Sequence, residues 1–151
     1  MTYSQHLVSI LLIESNEKRL YEVKNIRWDF EYVDISILND ETIESVVGLA
    51  EGSDEVLFIT KSKKAVALYH IQRCSATIDL HSFECDIDDF RGAVVIDAEC
   101  VETVKLVKSR HKSENWSFYR INTTKGSLVL RWCGDSYYSD EVSVVSGVVV
   151  E

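Results

Sequence analysis

The chain has 151 residues, 25 acidic and 16 basic, for a formal charge of −9 and a pI near 4.9. That length suits one domain with a real core, and 46% hydrophobic residues spread along the chain argue against disorder. The acidic balance disfavours direct nucleic-acid binding, and no apolar run nears the roughly 18 residues of a membrane helix. Leu7 to Ile13 lacks the basic flank and cleavage site of a secretory signal, so a cytoplasmic setting is expected.

In chain order, His6 to Ile13 reads as a strand, Glu14 to Lys18 as a turn, and Arg19 to Arg27 as an alternating segment. Asp29 to Leu38 reads as a further strand, with Val33, Ile35 and Ile37 on one face and Asp34 and Ser36 on the other. A helix is expected next. Asn39 or Asp40 can cap it, and Glu41 and Glu44 suit the positive end of its dipole. Ile43, Val46, Val47 and Ala50 form its apolar stripe, and Gly52 stops it.

Beyond that point the chain reads as β-rich. Val56 to Thr60 and Ala65 to Ile71 flank Lys61 to Lys64 as a hairpin. Thr77, Asp79, His81 and Phe83 alternate with Ile78, Leu80 and Ser82, and Gly92 to Ile96 is a short apolar strand. Ala98 to His111 fits either class, with a lean to helix. The last third reads as a meander: Trp116, Phe118 and Arg120 alternate with Ser117, Tyr119 and Ile121 before a turn at Thr124 to Gly126. Leu128, Leu130 and Trp132 share one face, Gly134 to Ser136 turns the chain, and Val142 to Val150 closes the sheet with a bulge at Gly147. With no proline, repeat or linker, residues 1–151 read as a single α+β domain. It would hold a predominantly antiparallel sheet, one or two helices and a C-terminal β-meander.

The chemistry-bearing residues show no catalytic pattern. Nucleotide-binding glycine motifs and a nucleophile elbow are absent. Cys74, Cys85, Cys100 and Cys133 form no Cys-x-x-Cys pair and read as reduced thiols, mostly buried. On one strand face His81 and Cys85 would stand about 13 Å apart, too far for proton transfer. Asp86, Asp88 and Asp89 do not make a calcium loop. No enzyme activity, metal or cofactor is expected.

Charge patterning says more. Ala76 to Glu102 carries Asp79, Glu84, Asp86, Asp88, Asp89, Asp97, Glu99 and Glu102 against Arg91 alone. Lys105, Lys108, Arg110 and Lys112 then reverse the sign against Glu114. Acids in such density either keep strand edges from pairing or steer a cationic partner. These eight acids are the candidate partner-binding residues. Asp29, Glu31 and Asp34 beside Trp28, Phe30 and Tyr32 read either as a second interface or as core rings with a solvated rim.

The run Asn122 to Trp132, with its Thr-Lys-Gly turn and Arg-Trp strand, is followed by Gly134-Asp135-Ser136-Tyr137-Tyr138-Ser139. Over residues 121–144 this resembles the C-terminal hairpin of small bacterial immunity proteins encoded beside polymorphic or contact-dependent-inhibition toxins. The resemblance implies stoichiometric binding of a cognate, basic toxin domain, such as a nuclease, without contact to nucleic acid or membrane. Two other readings stay open: a small enzyme or ligand-binding domain with a site built from distant residues, and a structural subunit.

Overall fold

The computed structural model describes residues 25–70, 76–136 and 142–150. The strand expected over His6 to Ile13 and its following turn lie outside these residues, as do Cys74 and Tyr137 to Ser139. The described residues form nine strands: β1 (Asn25–Tyr32), β2 (Ile43–Val47), β3 (Glu55–Thr60), β4 (Lys64–Tyr69), β5 (Ala76–Cys85), β6 (Val95–Val107), β7 (Ser113–Thr123), β8 (Gly126–Ser136) and β9 (Ser143–Val150). They build a five-stranded sheet in the order β1-β9-β4-β3-β2 and a four-stranded sheet in the order β5-β8-β7-β6. Among the described residues, neighbouring strands pair antiparallel throughout both sheets.

The two sheets share one core. From the five-stranded sheet it takes Val56, Phe58, Val66, Leu68 and Val144, and from the four-stranded sheet Ile78, Leu80, Ile121, Leu128, Leu130 and Trp132. Leu128, Leu130 and Trp132 share one face as expected; it is the inward one, and all three are fully buried. The five-stranded sheet is buried on its other side too, where Trp28, Leu57, Ile59, Ala65, Ala67 and Val145 cluster. Gly147 belongs to that side. A Cβ there would meet the Arg27 carbonyl at 2.8 Å and the Trp28 ring at 3.1 Å, so the residue marks a close approach between strands rather than a bulge.

The predominantly antiparallel sheet is as expected, but the helical part of the α+β reading is not. Among the described residues the only helix is a 3-10 turn at Ile35–Leu38, inside the span expected to be a strand. Asp34 caps it by accepting the Ser36 backbone N–H at 2.9 Å, and that bond holds the Asp34 carboxyl below its usual range. Ile35 and Leu38 then both reach the core, so the alternation over Val33 to Ile37 does not describe this segment.

The helix expected after Asn39 is strand β2. Asp40 (φ 68°) and Gly48 (φ 88°) take left-handed conformations on either side of it, and between them Ile43, Ser45, Val46 and Val47 pair with β3. Ala98 to His111 is also not helical, because most of it belongs to β6. Two register shifts interrupt β6, between Val95 and Asp97 and between Cys100 and Glu102. Each inserts a residue, Ile96 and Val101, which are 60% and 50% exposed.

The hairpin across Lys61 to Lys64 forms as expected, with Lys63 at φ 70°. Gly134 to Ser136 does not turn the chain; these residues continue β8 against β5 and β7. Val142 to Val150 closes a sheet, but the other one. As β9 it lies between β1 and β4, so it is an interior strand and not an exposed edge.

Candidate functional site: the outer face of the four-stranded sheet

Directly paired residues in a ladder point to the same side of the sheet. β7 therefore sorts its residues cleanly: Ser117, Tyr119 and Ile121 face in, while Glu114, Trp116, Phe118, Arg120 and Asn122 face out and are half-buried. Following the register across the sheet gives the outward rows. Thr77, Asp135, Glu114 and Leu106 form one row, and Asp79, Cys133, Trp116 and Val104 the next. Ser82, Arg131, Phe118 and Glu102 follow, then Glu84, Val129, Arg120 and Glu99. Ser127, Asn122 and Asp97 end the face.

Five of the eight expected partner-binding acids thus share this face. Asp79 and Glu84 stand on edge strand β5, and Asp97, Glu99 and Glu102 on edge strand β6. The other three do not join them. Asp86 follows β5 and accepts the Ser127 backbone N–H, which ties the loop to the β7–β8 turn. Asp89 pairs with Arg91 at 3.1 Å, which lowers the aspartate's pKa and raises that of the guanidinium, and Asp88 lies exposed beside it. All eight are exposed, but they form a frame along two edges plus a separate loop rather than one patch.

Inside that frame the face is aromatic and partly neutralised. The Trp116 and Phe118 rings stack with centroids 5.9 Å apart and planes within 7°. His81 meets Trp116 edge-on, with centroids 5.0 Å apart. Arg131 pairs with Glu84 at 3.1 Å and Arg120 with Glu99, while Asn122 donates to Asp97 at 2.7 Å. The indole N–H of Trp116 donates to Glu114 at 2.8 Å. Among the described residues, the carboxylates of Asp79 and Glu102 make no hydrogen bond or ion pair.

Cys133, in the row between Asp79 and Trp116, reports the field of this face. Burial pushes its thiol up to about 11, and Glu114, Asp135 and Asp79 act in the same direction against Lys108. The described cysteines form no disulfide with one another, and they are not mostly buried as expected: Cys85 and Cys100 are exposed and Cys133 is intermediate. Of the second acidic group, Asp29 and Glu31 are exposed, Trp28 is a core ring and Tyr32 is 75% exposed.

Elsewhere, the β6–β7 connection borders an open depression of about 170 Å³ lined by Lys105, Val107, Ser109, Arg110, His111, Lys112 and Ser113. It contains a histidine but no carboxylate, so it is not the His–carboxylate pocket that an enzyme reading calls for. Among the described residues no cluster of three or more His, Cys, Asp or Glu is placed to hold a metal ion. No helix there is long and apolar enough to cross a membrane.

Fold and site together define an antiparallel two-sheet β protein with one polar, aromatic-centred open face. Residues 17–144 match the model of DUF7448, a domain of unknown function, and the chain belongs to that family. No curated protein and no solved structure matches the chain.

Proposed function

We propose that this chain is a non-catalytic binding domain that docks a basic protein on the outer face of the four-stranded sheet. In the finer reading it is an immunity protein, and the partner is the cognate toxin domain that it neutralises. The observation that supports this is the register that places Asp79, Glu84, Asp97, Glu99 and Glu102 around Trp116 and Phe118. A half-buried aromatic centre supplies the desolvated anchor of an interface, and a rim of carboxylates supplies steering toward a cation. The resemblance to immunity proteins, over residues 121–144, takes in β8, whose Val129, Arg131 and Cys133 lie on this face beside Trp116 and Phe118.

Co-expression with the product of the gene immediately upstream, assayed first for toxicity on its own, tests the proposal. The expected result is rescued growth and a one-to-one complex whose affinity falls as salt rises. Unrescued growth overturns the toxin reading, and an affinity indifferent to salt overturns the docking face.

A further inference from the structure

We infer that the ridge formed by Trp116, Phe118 and His81 is a seat for a basic side chain, arginine above all, of a partner held between Asp79 and Glu102. The inference deepens the docking proposal above and rests on its choice of face. Asp79 and Glu102 flank the ridge from opposite edges of the sheet, Asp79 in the Trp116 row and Glu102 in the Phe118 row, three strand spacings across and two residues along, or about 16 Å between their backbones.

The division of labour among the acids singles out this place. Glu84, Glu99 and Asp97 are already engaged by Arg131, Arg120 and Asn122, so an incoming cation would have to compete for them. Asp79 and Glu102 make no such bonds to described residues, and they flank the rings rather than the ends of the sheet. Arginine suits this geometry. Its methylene stem covers apolar ring surface, its guanidinium stacks on aromatic groups, and its donors reach carboxylates to either side. Lysine shares the stem but has only a strongly hydrated point charge, so it gains less from the rings.

The probes are an alternating Arg–Gly peptide and its Lys–Gly counterpart, titrated at low salt into the full chain. The readout is the set of tryptophan indole N–H resonances. Trp28 and Trp132 are buried at 4% and 0% exposure and serve as internal references for Trp116. The arginine peptide should shift the Trp116 resonance saturably and leave the other two in place, with the lysine peptide weaker. Asp79→Asn combined with Glu102→Gln alters only exposed side chains and should weaken binding about tenfold. Phe118→Leu removes half of the ring stack but keeps the Trp116 reporter, and should weaken binding several-fold while the Trp28 and Trp132 resonances stay in place.

A Trp116 resonance that the arginine peptide leaves unmoved, or equal binding by the double variant, overturns the seat. Failure of the seat is separable from failure of the toxin reading. A toxin neutralised equally by the wild type and by the double variant removes the seat alone. Peptide binding at Trp116 without any toxin rescue removes the toxin reading alone.

Discussion

His81 and Trp116 meet edge to face across an intervening strand. Their ring centroids are 5.0 Å apart, yet one residue is on β5 and the other on β7, with β8 between them. The register shift between Leu80 and Ser82 makes His81 the extra residue of a bulge, free to lean over its neighbour. The β8 residue between the two sides in register is Cys133. The contact therefore bridges over a thiol that would otherwise stand in the open.

That arrangement predicts the order of thiol reactivity. With its pKa near 11, about one Cys133 thiol in a thousand is ionised at pH 8, and the rings restrict access as well. Alkylation followed by mass spectrometry should find Cys133 slower than the exposed Cys85 and Cys100. His81→Ala should raise the Cys133 rate several-fold and leave the other two unchanged. Equal rates for Cys133 in both proteins would show that the ring gives no protection.

The turn joining β7 and β8 predicts a coupled pair. Gly126 has φ 145°, where a side chain is strained, and a Cβ there would collide with the Asp86 carboxylate. Gly126→Ala should cost about 1–3 kcal/mol of unfolding free energy. Asp86→Ala should cost about 1 kcal/mol through the lost bond to the Ser127 N–H. The double variant should cost less than the sum, because removing the carboxylate clears the space. Urea titration of the four proteins checks this, and strict additivity would contradict the collision.

These same residues show why some of the molecule can be read from sequence and some cannot. The β7–β8 hairpin is readable because strict alternation meets a glycine turn, both local signals. β2 is not. Ile43, Val46 and Val47 fit a helical stripe, and what decides against the helix is the left-handed backbone at Asp40 and Gly48 together with pairing to β3. In β6 the inserted Ile96 and Val101 break the period of two and leave apolar spacings that imitate a helix. The acidic frame is visible as composition. Its split onto two edges is a matter of register between strands far apart in sequence, and so is its closure around Trp116. The neutralising role of Arg120 and Arg131 has the same origin.

Glu41 predicts how stability responds to acid. It pairs with Lys64 at 2.9 Å and accepts from the Ser62 hydroxyl at 2.7 Å, and these partners hold its carboxyl below the ordinary value. Because the folded pKa lies below the unfolded one, the contribution is complete above about pH 4.5 and is lost as pH falls through the folded value. With the pair partly solvated, Glu41→Gln should cost roughly 0.5–1 kcal/mol at neutral pH. The difference from wild type should vanish in strong acid. Thermal melts of both proteins from pH 7 to pH 3 read this directly, and a gap that widens on acidification would reverse the assigned sign.

Arg131 offers the sharpest test of what the open face does in association. It lies in the same row as Phe118 and holds Glu84, whose side chain is 73% exposed, while its own side chain is 28% exposed. If the face steers a cationic partner, this guanidinium works against encounter by offsetting one carboxylate of the frame. Arg131→Gln should therefore raise the association rate with a basic partner about two- to threefold at low salt, and the gain should disappear at high salt. An exposed pair of this kind contributes less than about 1 kcal/mol, so the melting temperature should barely move. Stopped-flow association at several salt concentrations separates the outcomes. A slower association would mean that Arg131 itself contacts the partner, and no change at any salt would place docking on another face.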